Sequence, residues 1–440
     1  MLQPVSETAL VDVPDAGPSH TPIYSTPAGF DLADNNAFTS GQPFDYYKRL
    51  REEAPAAWTP VPLAAGYWAI SRYDDVKRIE LDPETFSSQR GGINMATAER
   101  GSGHERLAGA ALNTLISLDR PYHVPLRMQH RAFFTPDYIA ELRNKVEVKV
   151  DELLDDMERK GPVVDMVKNF SEQLPLFTLC EMLGVDEKDR PKIVRWMHYL
   201  ELASHMITEQ AQGRKISYVF LAKFLWNVRQ MFRYGERVLQ DRRANPRNDL
   251  LTAIAQAEID GEPLSQEFLD GAWLLIIFAG NDTTRNSLSG TMRLLTEFPE
   301  QKQKLLDDPS KIKQMVPEAI RMVSPVIFMR RTLMVDTEIA GQKMSEGEKV
   351  IMYYGAANRD SSVFENPDQF DIERENAGDH LSFGAGPHVC LGQRVANMQL
   401  EVAYEKILSR FPNIKFTGNW SQAPNNFVNA ISKLEVDLGA

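Results

Sequence analysis

A cysteine set among glycines near the end of the chain constrains this sequence more than any other feature. The segment Phe383-Gly-Ala-Gly386-Pro-His388-Val-Cys390-Leu-Gly392 leads from a turn-rich stretch into a helical pattern over about 392–410. A cysteine at a helix start meets backbone N–H groups and the positive end of the helix dipole, and both favour its thiolate. A thiolate in that position can ligate iron. Gly384, Gly386 and Gly392 let the backbone approach a flat macrocycle and leave N–H donors for the sulfur. Phe383 can pack beside the sulfur and keep water away. The plain alternative is an inert buried thiol in a glycine-rich turn, the common fate of a free cysteine. Phe, Gly, His, Cys and Gly at fixed offsets weaken that alternative, since chance occurrence in this length is on the order of one in ten thousand.

A second constraint is an apolar pattern read as one long helix over 265–298. Its middle, Trp273-Leu-Leu-Ile276-Ile277-Phe278, is apolar all round, which belongs at the centre of a protein. Ala279-Gly280-Asn-Asp282-Thr283-Thr284 follows directly. An acid and two threonines inside a buried helix are costly without a task. The alternative is a cap at a helix break, since Asp and Thr cap well. Gly280 removes a side chain where something bulky must lie against the helix.

These two segments resemble the haem-binding loop and the oxygen-activation motif of the cytochrome P-450 family. The resemblance extends from about residue 40 to the end. It implies that family's fold, mainly α with small β-sheets, with haem b between a long central helix and the helix after the cysteine. By the resemblance Cys390 is the axial thiolate and iron ligand, and Ala279 and Gly280 lie against the haem. Thr283 would hydrogen-bond oxygen at the iron, and Asp282 would relay protons from solvent. His123, Arg127, Arg331 and His388 would meet the haem propionates, because two buried carboxylates need cations. Arg331 is chosen over Arg330 by its offset from Asp336. Glu318 and Arg321, three apart on one helix face, match a buried pair of the family. Arg374, in the segment Phe364–Arg374, is the third partner, and this trio concerns folding. Pro317 departs from the family pattern, so the helix either starts there or bends.

The rest of the chain sets limits. Its 440 residues are 43% hydrophobic, enough for a large core. They are read as an N-terminal arm over 1–40 and one domain over 41–440. A net charge of −12 excludes a nucleic-acid binder, which needs a dense basic patch. Cys180 and Cys390 are too few for a disulfide framework, so a reducing cytoplasm is expected. No run approaches the roughly 18 apolar residues of a membrane span, so no anchor is expected. Further helices are expected over about 121–160, 167–183, 188–206, 215–243 and 310–323, with strands in 326–354 and 424–439. The stretch 87–112, rich in Gly, Ser and Ala, would form a lid with residues 195–225.

Trp273, Ile276, Ile277, Ala279, Val326, Ile327, Phe328, Phe427 and Val428 are the expected pocket walls, apolar enough for a hydrophobic organic substrate. The implied function is a haem-thiolate monooxygenase that inserts one atom of O2 into an alkane, fatty acid, terpenoid or sterol side chain. The chain lacks flavin, nicotinamide and iron–sulfur fingerprints. Electrons would therefore come from a ferredoxin and its reductase, met by Arg127, Arg131 and Arg394. A peroxide-driven relative would lack the acid–threonine pair. A non-enzymatic haem sensor would bring an output module, for which the chain has no spare residues. A haem-free scaffold would be colourless.

Overall fold

The computed structural model describes residues 17–95 and 105–439. Helix α1 (Phe44–Glu53), the hairpin β1 (Ala56–Val61) and β2 (Ala64–Ile70), α2 (Tyr73–Leu81) and β3 (Phe86–Ser87) lead to α3 (Glu105–Leu112). Next come α4 (His123–Phe133), α5 (Pro136–Lys160), β4 (Val163–Asp165), α6 (Gln173–Leu183), α7 (Arg190–Ala211), α8 (Tyr218–Ala244), α9 (Leu250–Ala255), β5 (Glu258–Ile259) and β6 (Glu262–Pro263). The centre is formed by α10 (Gln266–Ala279) and α11 (Asp282–Glu297), followed by α12 (Pro299–Asp307) and α13 (Ile312–Val323). Strands β7 (Phe328–Leu333), β8 (Thr337–Ile339), β9 (Gln342–Met344) and β10 (Lys349–Tyr353) run into α14 (Tyr354–Ala357). After an irregular stretch come α15 (Gln393–Arg410), β11 (Lys415–Gln422) and β12 (Ile431–Asp437).

Small residues let the central helices pack closely. A side chain at Gly271 would overlap the Asn113 carbonyl, so glycine lets the end of α3 lie on α10. Gly290 likewise admits Val323 of α13 against α11. Tyr404 of α15 donates its hydroxyl to the Leu288 carbonyl at 2.5 Å, which ties α15 to α11. The main sheet has the order β1-β2-β10-β7-β3, with β10 parallel to β2 and antiparallel to β7. A second sheet joins β11, β12 and β4, closing the chain end onto its middle. Among the described residues no helix is long and apolar enough to cross a membrane.

Several elements differ from the sequence expectation. The expected helix over 265–298 is two helices, interrupted at Gly280-Asn281. Glycine is a poor helix former, and Asp282 then sits in the first turn of α11, where the dipole favours an acid. The pattern over 121–160 is also broken. Thr135 caps α5 by accepting from the Tyr138 N–H at 3.2 Å, with Pro136 at the first helical position. Pro317 neither starts α13 nor stops it, but lies inside it. Its missing N–H leaves the carbonyl four residues earlier without its helical donor. The arm expected over 1–40 is core in its last part, where Leu32, Ala33, Asn35 and Phe38 are at most 2% exposed. Of the expected lid loop, residues 96–104 lie outside the described residues, and the last part is α3.

Candidate active site

The cysteine loop is closed by its own backbone. The Cys390 N–H donates to the Phe383 carbonyl at 2.8 Å. Gly384 and Gly386 turn the loop at φ +71° and +64°, the left-handed region where glycine carries no steric penalty. Gly386 has a second reason to lack a side chain: a Cβ there would stand 2.7 Å from the Glu80 carbonyl of α2. Within the chain itself, the missing side chain makes room for α2. Cys390 as a residue keeps exposed surface, yet its thiol sits deep enough for burial to push it up. The Gly392 N–H, Arg127 and the Gln393 N–H pull it back down. Phe383 is partly buried, with its ring 5.4 Å from that of His380.

Three of the four expected cations gather beside this loop. His123 of α4 stacks on His388 with ring centroids 4.2 Å apart. Arg127, one turn further along α4, donates Nη2–H to the Val389 carbonyl at 2.6 Å. His123 Nε2 and His388 Nδ1 are buried without a hydrogen-bond partner among the described residues. Burial and the nearby Arg127 and Arg331 hold His123 down to about 4, and burial, Arg331, His123 and Arg127 hold His388 lower still. Arg331 is buried beside them, but its Nη2 is bound to Glu80 Oε2 at 2.9 Å. Tyr354 donates its hydroxyl to the same carboxylate. Sequence reasoning missed Glu80. Its signal was spacing, for Tyr73, Val76 and Glu80 form one buried face of α2. Unpartnered buried imidazole nitrogens suit added carboxylates, and a thiolate suits iron. The residues present therefore fit a haem.

The acid–threonine pair lies at the helix break. Asp282 is buried and faces Arg285, with Oδ1 3.4 Å from Nη1. Arg285 reaches on to Glu201 of α7 at 3.3 Å. Burial raises the Asp282 carboxyl to about 6, against the pull of Arg285. The Thr283 hydroxyl donates to the Ala279 carbonyl at a loose 3.3 Å. Ala279 is exposed although its helix is packed among others. On the α6 side of Gly280 a Cβ would lie 3.0 Å from Leu179 Cδ1, so a side chain there would press on α6.

The expected pocket is only partly found. Trp273 is core, since its indole N–H donates to the Met231 carbonyl at 3.1 Å and its ring packs on Tyr234 and Gly235 of α8. Ile277, Ile327 and Phe328 are at most 1% exposed and also belong to the core. Phe427 and Val428 are almost as buried. Ile276, Val326 and the unforeseen Leu275, Phe278 and Met329 keep some surface. Phe278 stacks on Phe427 at 6.1 Å, and Val326 bridges to Val428. Counting back by fours from Thr283 gives Ala279 and Leu275, the periodicity that a run apolar all round conceals.

Glu318, Arg321 and Arg374 meet as expected. Glu318 and Arg321 are wholly buried and doubly bonded, at 2.7 and 2.8 Å. Arg374 Nε adds a contact at 3.1 Å.

The cytochrome P450 family model matches residues 40–435. The chain belongs to the cytochrome P450 family. Its curated relatives include linalool 8-monooxygenase of Pseudomonas putida, 34% identical over 93% of this chain and 98% of the relative. Steroid C26-monooxygenase of Rhodococcus jostii is 30% identical over 93% of this chain and 85% of its own length. Cytochrome P450-153 from Novosphingobium aromaticivorans superposes with a TM-score of 0.81 at 30% identity, covering 92% of this chain and 98% of that one. Within the family this chain is a P450 monooxygenase, and the family implies a haem with an axial cysteine thiolate.

Proposed function

We propose that the chain hydroxylates an aliphatic apolar substrate, such as a terpenoid, sterol side chain, fatty acid or alkane, at a haem held by Cys390. The observation that carries this is the Cys390 sulfur facing backbone N–H groups beside Arg127 and two unpartnered imidazole nitrogens. When bound, the haem supplies the activation of O2. The residues of the chain do the rest. His123, Arg127 and His388 would bind and orient the propionates, while Glu80 holds Arg331 in place. The Thr283 hydroxyl, loosely bound to Ala279, can turn to donate elsewhere. Asp282 stores a proton, and Arg285 links it to α7. The apolar substrate class agrees with relatives named for linalool, steroids and methyl-branched lipids. Hydroxylated product from a panel of terpenoids, sterols and alkanes, driven by a ferredoxin system, is the test. No product and no spin-state shift across the panel would remove this substrate class.

Asp282 predicts a pH dependence. Its raised pKa keeps it neutral below about 6. Above that it is ionised and held by Arg285. Only the neutral acid is released from that pull to donate onward. Product formed per electron consumed should therefore fall as pH rises through about 6. Asp282→Asn should lower turnover about 100-fold and flatten this profile. An unchanged profile in the variant would exclude Asp282 from the proton path.

Electrons are proposed to come from a ferredoxin. Arg131 on α4 and Arg394 on α15 are exposed on the two helices that flank the cysteine loop. Arg131→Glu should slow reduction by a ferredoxin about tenfold at low ionic strength. An unaltered rate would move the docking site elsewhere.

A further inference from the structure

Helix α8 presents an exposed face with no counterpart in the chemistry above. From Gln210 to Gly235 the chain carries five cations and no carboxylate, within a protein of net charge −12. At about 100° per residue, Tyr218, Val219, Lys223, Trp226, Arg229 and Arg233 fall within about 140° of the helix circumference. All six are exposed, with Tyr218 at 89%, Val219 at 66% and Trp226 at 63%. The opposite face is conventional core, with Phe224, Val228, Met231 and Phe232 buried. Leu63, at the tip of the β1–β2 hairpin, extends the apolar surface. It is 61% exposed, and its N–H donates to the Ala211 carbonyl, just before the turn into α8. Arg214 is paired with Asp34 and Glu209. Lys223, Arg229 and Arg233 make no ion pair among the described residues.

Large apolar side chains interleaved with unpaired cations on one helix face suit a surface that is apolar below and anionic above. Trp and Tyr prefer the headgroup level of a bilayer, where a ring can be buried and its polar edge stay wet. A second copy of this chain is a poor occupant, because a two-fold interface would set the same cations against each other. An acidic protein would satisfy the cations but gives no reason for Leu63, Tyr218 and Val219 to project. We propose that the N-terminal half of α8, with Leu63, docks on an anionic phospholipid surface. Docking there would bring the α7–α8 region to the phase in which an apolar substrate is dissolved. The binding itself does not depend on the haem or on the proposed reaction.

The test is sedimentation of the full chain with vesicles of phosphatidylglycerol or phosphatidylcholine. The chain should partition onto phosphatidylglycerol at low ionic strength, about tenfold less at high salt, and little onto phosphatidylcholine. Lys223→Glu with Arg229→Glu, and separately Tyr218→Ser with Trp226→Ala, should each lower partitioning about tenfold with the circular dichroism unchanged. Brominated acyl chains should quench tryptophan fluorescence in the wild type but not in Trp226→Phe. Failure of the wild-type chain to bind phosphatidylglycerol would overturn the proposal. So would equal binding by the charge-reversed variant, or quenching that survives in Trp226→Phe.

Discussion

The Cys390→Ala chain is expected to fold, and to lose both the strongly red-shifted carbon monoxide band of the reduced holoprotein and its oxygen-dependent turnover. The fold should survive because the loop is closed through backbone. The Cys390 N–H donates to the Phe383 carbonyl through backbone that the substitution leaves in place, and Cys390 is an exposed residue, so the change should remove little core packing. What disappears is the one group at the loop that can carry a thiolate. The N–H groups of Gly392 and Gln393 and the charge of Arg127 all favour that anion. With a haem bound, Cys390 would be the residue that holds it as a thiolate, the ligand type that supports oxygen activation. Turnover should therefore drop on the order of a thousandfold or more. Cys180→Ala is the internal control. Cys180 is fully buried in α6 and its thiol is pushed up to about 11 by burial, so it has no tendency to ligate. The control should keep the band. A band at the shorter wavelength of an imidazole or neutral-thiol complex in the wild-type protein would end the thiolate assignment, and the proposed reaction with it.

The sequence carried the chemistry of this site better than its geometry. Cys390, His123, Arg127 and His388 could be placed because their spacing is fixed by a loop and by one helical turn, and the structure gathers them. Asp282 and Thr283 could be picked out because an acid and a hydroxyl are costly among buried apolar side chains. The helix break beside them was weighed only as the alternative to one continuous helix, and Gly280-Asn281 is where the apolar run gives way to the polar start of α11. Gly280 and Gly386 were legible as sites of close approach, but not which parts of the chain itself lie beside them. The neighbours proved to be Leu179 and the Glu80 carbonyl, about a hundred and three hundred residues away in the chain. Glu80 itself shows the limit most clearly. An acid on a short helix looks like surface, and only the fold brings Arg331 and Tyr354 onto it. The pocket walls were only partly legible, for the reason that Trp273 illustrates. In a helix apolar all round, composition cannot say which side meets a neighbouring helix and which meets a ligand.

Removing Glu318 should be the most damaging single change to stability. Glu318→Ala is expected to cost about 3–5 kcal/mol, because it strands a buried charge without its partner. Neither Glu318 nor Arg321 has accessible surface. Without the carboxylate, the Arg321 guanidinium keeps no anion, only the carbonyls of Asn358 and Pro367 on Nη1 at 2.7 and 2.9 Å, Met322 Sδ and a longer contact to the Gln369 carbonyl on Nη2, and the Phe364 ring beneath it. Arg374 loses its anion as well, and the Asp371 N–H loses its acceptor at 3.1 Å. The damage should reach the cysteine loop. Asn358, held through its carbonyl by Arg321, donates from Nδ2 to the Ser382 hydroxyl at 2.8 Å and accepts from the Leu381 N–H at 2.7 Å. Ser382 directly precedes Phe383, where the loop begins. Glu318→Ala should therefore melt lower and also lose haem more readily below its melting point. Glu318→Gln keeps the shape and one acceptor and should fall between. The decisive comparison is Glu318→Met combined with Arg321→Leu. If the cost comes from an uncompensated charge, the double variant should be more stable than Glu318→Ala, because it leaves only Arg374 unpaired rather than two guanidinium groups. A double variant less stable than Glu318→Ala would mean that the contacts of Arg321 with the Asn358 and Pro367 carbonyls, and not its charge balance, hold the loop in place.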